Sequence, residues 1–253
     1  MRRTDLAPIR RARLLSGLPQ RQLVAMLGPT FVQTLPMGAV LCRQGEKPEF
    51  LHIVVSGRVG LFGEWAGDEA LVEMFGPGDA FIVPAVVLDL PALLTGRMLE
   101  EGRILMWPTP SFRHQVRSNA GLAHGAMIQL CDNWRLLIGQ LKDLKLLSAT
   151  ERLATLLLSL APPGAGAVRA RLPGNRSLVA GLLGVAPQSL SRAFAGLRPI
   201  GVSGGGREVT IADIGRLREF TATRGPTKTK EQTPGRTPRA TKRASRPLIR
   251  KAA

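Results

Sequence analysis

The apolar residues of this chain change their spacing once, and that change divides the sequence into two kinds of structure. Between residues 35 and 108, short runs alternate apolar and polar residues and are separated by glycine and aspartate. A period of two, with turn residues roughly every ten positions, predicts antiparallel strands that close into a barrel or sandwich. Beyond residue 118 the apolar spacing becomes three and four, which is the period of a helix.

The helical spacing is most regular in a stripe that we call the seam. Its apolar residues follow one another at intervals of 4, 3, 4, 3, 4 and 3: Ala123, Met127, Leu130, Trp134, Leu137, Leu141 and Leu144. An apolar stripe of three heptads requires a second surface to cover it. We therefore predict a dimerisation helix over residues 118–147, with the seam from Met127 to Leu144 at the contact; packing within the chain's own domain is the alternative. Leu136, Ile138 and Leu147 lie beside the seam and predict an additional contact with the barrel.

Residues 148–222 contain the start and stop signals of several short elements. Ser148 and Glu151 have the spacing of a capping box, which predicts a helix start. "AVRARLP" is typical of a short strand, and Gly204, Gly205 and Gly206 separate two β-runs that predict a hairpin. Asp213 is placed to cap a last helix through residue 220. Helix, strand, helix, turn, helix and hairpin, in this order, predict a winged helix-turn-helix.

The stretch "LVAGLLGVAPQSLSRAFAGLRPIGV", residues 178–202, predicts the turn between the two central helices of this module. Asn175 caps the first helix, Gly184 accepts the left-handed conformation of the turn, and Pro187 fits the first turn of the second helix. Ala180 is small where the helices cross. The residues spaced to face the core are Val179, Leu183, Val185, Leu190 and Ala193.

The second helix of this module presents polar residues near its start, which can hydrogen-bond base edges and phosphates in a major groove. The predicted DNA-binding set is Arg176, Ser177, Pro187, Gln188, Ser189, Ser191, Arg192, Arg198 and Arg207. An ordinary helical hairpin in a core is the alternative, since a glycine between small residues also occurs there.

Charge favours a polyanionic partner. The chain has 35 Lys and Arg against 18 Asp and Glu, a net charge of +17. Residues 224–253 contain ten Lys or Arg and one acid, so +9 lies there and +8 elsewhere. Such a balance most often indicates nucleic acid, here double-stranded DNA. Pro, Thr, Lys and Arg dominate residues 223–253, which predicts a disordered basic tail; phosphate affinity without sequence preference and solubility are both open as its role.

The sequence lacks the motifs that are typical of other classes of protein. No Ser-His-Asp spacing, P-loop or metal-ligand cluster is present, so we expect no enzyme. Cys42 and Cys131 are far apart and form no CxxC. The longest apolar runs are about ten residues and no secretory signal is present, so we expect a cytoplasmic protein without a membrane segment. A ligand-binding module that signals to a protein partner, without DNA, is the alternative function.

Several motifs in order resemble the Crp–Fnr family of bacterial transcription regulators, over roughly residues 14–221. They are "GAVLCRQGEKPEFLHIVVSGRVGLF", "MFGPGDAF", "SATERLATLLLSLA", "SLVAGLLGVAPQSLSRAFAGLRPIGV" and "VTIADIGRL". The resemblance implies an α+β fold: an N-terminal antiparallel β jelly-roll effector domain over 1–117, the dimerisation helix, and a winged helix-turn-helix over 148–222. It also implies a homodimer that reads a two-fold symmetric DNA site and contacts RNA polymerase.

The family's recognition helix commonly has the pattern Glu-x-x-Ser-Arg, and Gln188, Ser191 and Arg192 stand at the matching positions. The resemblance implies that the arginine pairs with guanine and that the serine helps to place it. Glutamate prefers the amino group of cytosine, whereas glutamine suits adenine. We therefore expect a half-site that differs from the usual one at this base pair.

Family members that bind cyclic nucleotides resemble F-G-E-x-A-L followed by an arginine, and this chain departs from that pattern. Ile82 and Val83 follow Phe81, and the nearest arginine, Arg97, lies beyond the expected place. We therefore predict no cyclic-nucleotide binding and no cofactor. An apolar effector, a buried haem and no effector all remain open, and the candidate haem ligands are His52, His114, His124, Cys42 or a methionine. An iron–sulfur cluster would need more thiolates than Cys42 supplies.

Overall fold

A computed structural model of the chain describes residues 6–204 and 206–223. Apart from its first residue, the predicted tail lies outside these residues, as does Gly205 of the predicted hairpin. Among the described residues, no single helix is long and apolar enough to cross a membrane.

The N-terminal half contains eight strands in two four-stranded antiparallel sheets. The strands are β1 (Phe31–Leu35), β2 (Val40–Cys42), β3 (Phe50–Ser56), β4 (Val59–Trp65), β5 (Asp68–Phe75), β6 (Ala80–Phe81), β7 (Thr95–Met98) and β8 (Gly102–Pro108). One sheet has the order β1-β8-β3-β6 and the other has β2-β7-β4-β5. This arrangement of eight strands is a jelly roll, and it confirms the prediction drawn from the period of two.

Strand β3 is buried on both faces, because each face belongs to a different core. Val54 packs inside the barrel with Val59 of the other sheet and with Ile104 of the neighbouring strand β8. Leu51 and Ile53 instead pack beneath the helices that cover the first sheet. Those helices are α1 (Leu6–Arg11), a 3₁₀ turn (Arg13–Leu15), α2 (Gln20–Met26), α3 (Val83–Leu88) and α4 (Thr109–Ser118).

Helix α5 (Ala120–Leu146) begins at Asn119, whose side chain accepts a hydrogen bond from the Leu122 amide at 2.9 Å. Its buried residues all lie in its first half, which packs on the barrel. The second half is largely exposed: Trp134 of the seam is 65% accessible. Leu136 and Ile138 are 47% and 44% accessible, so the prediction that they contact the barrel is wrong. The helix has already left the barrel surface at that point of the chain.

The C-terminal part has a core of its own and a third sheet. Its elements are α6 (Ala149–Leu160), β9 (Val168–Arg171), α7 (Arg176–Leu182), α8 (Pro187–Leu197), a 3₁₀ turn (Arg198–Ile200), β10 (Val202–Ser203), β11 (Glu208–Ile211) and α9 (Ile214–Thr223). The sheet order is β10-β11-β9. Ser148 and Glu151 form the predicted capping box, and Asp213 accepts a hydrogen bond from the Gly215 amide at 2.7 Å. The predicted winged helix-turn-helix is confirmed.

His52 is buried inside the barrel without a hydrogen-bond partner for either ring nitrogen. Its ring stacks on Phe81, with the ring centres 5.1 Å apart and the planes inclined by 11°. Burial lowers the pKa of His52 from 6.5 to about 3, because a charged imidazolium would lose its hydration there. The side chain is therefore neutral in the folded protein.

The buried His52 makes the stability of the folded protein sensitive to acid. Because its pKa is lower in the folded than in the unfolded chain, only the unfolded chain binds this proton between about pH 6.5 and 3. Stability is therefore lost as the pH falls through this window, by up to about 1.4 kcal/mol per pH unit. We expect His52→Phe to remove this loss. Urea unfolding of both proteins at several pH values measures it.

His114→Phe serves as the control, since His114 is exposed on α4 and the same exchange is made outside the core. Parallel pH dependences for the wild type and His52→Phe would contradict the prediction.

Candidate nucleic-acid interface

The turn between α7 and α8 is set by three residues whose roles the sequence indicates. Asn175 caps α7 by accepting a hydrogen bond from the Leu178 amide at 3.0 Å. Gly184 has a φ of 61°, which other residues adopt only with strain. Pro187 is the first residue of α8. The chain bends by 91° between α7 and the segment 187–200, which is the geometry of a helix-turn-helix.

A small apolar core fastens the two helices together. Val179, Leu183, Leu190 and Ala193 are buried, and Val185 is partly buried against the same cluster. Phe194 and Leu197 extend this core along α8. Because these side chains occupy one face of α8, its opposite face must point away from the protein.

That outward face carries the predicted reading residues. Gln188, Ser191 and Arg192 are exposed, and their spacing of three and four places them on one side of the helix. Ser189 is half-buried, and Pro187 is exposed at the helix start. The Ser191 hydroxyl donates a hydrogen bond to the Pro187 carbonyl, 3.3 Å away. The helix thus presents an amide, a hydroxyl and a guanidinium in one row.

A cleft of about 730 Å³ lies between α8 and the wing hairpin. Arg176 and Arg198 line it together with the hydroxyls of Ser191 and Ser203. The guanidinium of Arg176 lies 4.7 Å from the centre of the Phe194 ring, a cation–π contact that holds it beside the cleft. Guanidinium and hydroxyl groups around a concave surface match the oxygens of a phosphate.

Two of the predicted DNA-binding residues, Ser177 and Arg207, lie neither on α8 nor in this cleft. Ser177 is exposed at the second position of α7. Arg207, on the wing, makes an ion pair with Glu100 of the barrel, with 3.6 Å between Nη2 and Oε1. Sequence reasoning missed Phe194 and Ser203, which the fold brings to the cleft. In the sequence, Phe194 lies on the inward face of a helix, and an aromatic residue at such a position is ordinarily interpreted as part of the hydrophobic core.

Charge within residues 148–222 supports an anionic ligand. This segment has nine arginines and no lysine, against four acidic residues. Arginine is the residue that binds phosphate oxygens in a bidentate manner. The segment is therefore positively charged independently of the basic tail.

The barrel residues at the positions expected to hold a cyclic nucleotide depart from the pattern of the nucleotide-binding family members. Ile82 has a φ of 57°, a strained conformation for a β-branched residue, and Val83 is fully buried. Arg97 lies over the Phe62 ring at 4.7 Å and forms an ion pair with Glu69. The arginine nearest to the expected position is thus already paired with a carboxylate.

The candidate haem ligands are divided between the interior and the surface. Cys42 and His52 are buried in the barrel, and burial raises the pKa of the Cys42 thiol. His114 and His124 are exposed on α4 and α5. Within residues 6–204 and 206–223, no group of three or more His, Cys, Asp or Glu is arranged to hold a metal ion.

Two family models match the chain. The cyclic nucleotide-binding domain matches residues 32–119, and the Crp-like helix-turn-helix domain matches residues 151–220. Together they cover more than half of the chain. The CRP-like cAMP-activated global transcriptional regulator of Mycobacterium tuberculosis is 24% identical over 214 residues, which are 82% of this chain and 95% of that protein.

Solved structures share the fold across both domains. A candidate cyclic nucleotide binding protein of Ruegeria pomeroyi is 29% identical, with a TM-score of 0.63, over 87% of this chain and 97% of that one. FixK2 of Bradyrhizobium japonicum is 20% identical, with a TM-score of 0.66, over 75% and 96%. The second likeness concerns the fold alone.

Gln188 is expected to select one base pair. A glutamine suits adenine, whereas a glutamate accepts from the amino group of cytosine, and a good contact of this kind contributes about 1–3 kcal/mol of discrimination. We expect Gln188→Glu to exchange the preferred base at one position of each half-site and to leave the others unchanged. Selection of binding sequences from random double-stranded DNA measures this.

Gln20→Glu makes the same chemical change at an exposed position of α2 and should alter no position of the selected sequence. An unchanged selection by the Gln188→Glu protein would refute the assignment.

Proposed function

The chain belongs to the Crp–Fnr family of transcription regulators, and from this premise we propose that it acts as a homodimer whose two α8 helices read a two-fold symmetric DNA site. The observation that carries the proposal is the row formed by Gln188, Ser191 and Arg192 beside the arginine-lined cleft. In this arrangement α8 would contact base edges while Arg176 and Arg198 hold the flanking phosphates.

The exposed seam of α5 supports the homodimer. Trp134, Leu137, Leu141 and Leu144 are each at least 41% accessible and follow a strict heptad spacing. Covering this stripe with a second copy would remove a large apolar surface from water. A two-fold axis along the seam would relate the two α8 helices. Half-sites one DNA turn apart, about 34 Å, are then expected.

The signal received by the barrel is proposed not to be a cyclic nucleotide. The name of the Mycobacterium tuberculosis relative states that it is cAMP-activated, but the residues of this chain differ at the expected site. Val83 is buried where a glutamate would hold the ribose, and Arg97 is engaged by Glu69. A cyclic phosphate buried without a positive partner would pay a large desolvation cost.

The dimer proposal predicts that lysine substitutions at two neighbouring leucines have different effects. Leu137 lies on the seam, whereas Leu136 is similarly exposed but lies off it. We expect Leu137→Lys to place two like charges in the dimer contact, to shift the protein toward monomer in sedimentation, and to lower its affinity for the selected DNA at least tenfold. Equal behaviour of Leu137→Lys and the control Leu136→Lys in both measurements would contradict a seam dimer.

DNA binding in gel-shift assays also separates this proposal from a module that signals only to a protein.

Calorimetric titration tests the proposed insensitivity to cyclic nucleotides. We expect no binding heat with cyclic AMP or cyclic GMP, because Arg97, the arginine nearest to the expected site, is already paired with Glu69. Micromolar binding of either nucleotide would overturn this part of the proposal. Its loss in an Arg97→Ala variant would then identify the arginine responsible.

A further inference from the structure

The three short strands of the DNA-binding module, which we call the wing sheet (β9, β10 and β11), have one apolar and one polar face. The apolar face packs on the core of the module, and four of its residues are each at most 2% accessible: Ala170, Val202, Val209 and Ile211. Because successive residues of a strand point to opposite faces, the residues adjacent to these point to solvent. All of these are exposed: Arg169, Arg171, Ser203, Glu208 and Thr210.

The register of the wing sheet sorts the exposed residues into two rows. In one row, Ser203 lies opposite Thr210, and Thr210 lies opposite Arg169. In the other row, Arg171 lies opposite Glu208. Side chains that lie directly opposite each other on neighbouring strands interact, and opposite charges in such a pair attract. Glu208 therefore offsets the charge of Arg171, whereas the neighbours of Arg169 in its row carry only hydroxyl groups.

Arg169 differs from the arginines of this module that have a structural contact. Arg152 donates hydrogen bonds to the carbonyl oxygens of Leu144 and Leu147, at the end of α5. Arg207 is paired with a carboxylate of the barrel. Arg169 is exposed and makes no ion pair with the part of the chain that the structure describes. Its guanidinium is therefore available to a ligand.

The row that contains Arg169 begins at the cleft beside α8. Ser203 lines this cleft together with Arg176 and Arg198, and Ser191 lines it from α8. Neighbouring strands lie about 4.8 Å apart, so the backbone at Arg169 is about 10 Å from the backbone at Ser203. A DNA strand carries one phosphate per roughly 3.4 Å of helix axis, so about three phosphates span this distance. The row thus continues the cleft by a length that DNA can follow.

We propose that the outer face of the wing sheet is a second backbone-binding surface, on which Arg169 holds a DNA phosphate outside the base pairs that α8 reads. The inference builds on the DNA-binding function proposed above. The guanidinium pairs with the phosphate oxygens, and the hydroxyls of Thr210 and Ser203 donate hydrogen bonds to the same strand. The partner is double-stranded DNA, because one cation and two hydroxyl donors in a row without a carboxylate match the charge and the acceptors of its backbone.

Arg169→Gln and Arg171→Gln form a matched pair for the first test, because each removes one exposed positive charge from the same face of the same strand. Long-range attraction to DNA falls equally in both variants, so a difference between them indicates a direct contact. We expect Arg169→Gln to bind the selected duplex roughly threefold to tenfold more weakly than Arg171→Gln. The slope of log affinity against log salt should be shallower by about 0.9 in Arg169→Gln alone, the value of one phosphate contact. Anisotropy titrations at several salt concentrations measure both quantities.

The sequence preference of Arg169→Gln provides an independent readout. A phosphate contact positions the protein and carries no sequence information. We therefore expect this variant to select the same sequence as the wild type from random DNA, and to lose the same factor of affinity on an unrelated duplex. A change in the selected bases would contradict a phosphate contact.

Glu208 allows the reciprocal test. Glu208→Gln leaves Arg171 without its cross-strand carboxylate, so Arg171 becomes available as a further phosphate contact. We expect Glu208→Gln to bind DNA more tightly than the wild type and to steepen the salt slope by about 0.9. The change in slope should be absent when Arg171→Gln is combined with it. An equal change in slope with and without Arg171 would contradict the proposed surface.

The outcomes separate the two proposals. Equal affinity and equal salt slope for Arg169→Gln and Arg171→Gln, while the wild type binds DNA, would overturn the second surface alone. Absence of DNA binding by the wild type would overturn the proposed function and this inference with it.

Discussion

The packing of Gly125 against the backbone of Leu14 anchors α5 to the N-terminal 3₁₀ turn that covers the barrel, and the positions of the seam and of the helix-turn-helix depend on this anchor. A methyl group on Gly125 would lie 2.1 Å from the Leu14 carbonyl oxygen, so only glycine permits the approach. The first half of α5 is thereby fixed beside the buried Leu122 and Ala126. Its second half extends past the buried residues, carries most of the seam and ends beside the helix-turn-helix. One helix therefore carries the proposed dimer contact and leads to the helix-turn-helix module.

The apolar residues of α8 determine where its polar residues point. Leu190, Ala193 and Leu197 are buried on one side of α8, so the helix has a single rotational setting about its axis. That setting directs Gln188 and Arg192 outward. Arg176 is positioned differently, by the ring of Phe194. Packing orients the groups proposed to read bases, and an aromatic ring positions a group proposed to bind phosphate.

The fold and the reading helix were predictable because their signals are local. Asn175, Gly184 and Pro187 are caps and turn residues whose chemistry acts within a few positions of the chain, and the structure places each as predicted. The contacts of Leu136 and Ile138 were predicted wrongly, because hydrophobicity indicates that a side chain seeks cover but not which surface supplies it. The partners of Arg97 and Arg207 could not be predicted, since Glu69 and Glu100 reach them only through strand pairing and domain packing.

Local order and periodicity, read from the sequence alone, determined an antiparallel barrel or sandwich, the long helix and the winged helix-turn-helix, because turns, caps and apolar spacing act over short stretches of chain. The tertiary structure decided which polar groups are buried or paired and which are free to bind a ligand. It buried His52 without a partner, forced Ile82 into a left-handed conformation and paired Arg97 with Glu69. It also seated α7 on β5 through Gly181. These features join residues far apart in the chain, and only the packing of whole elements brings them within contact distance.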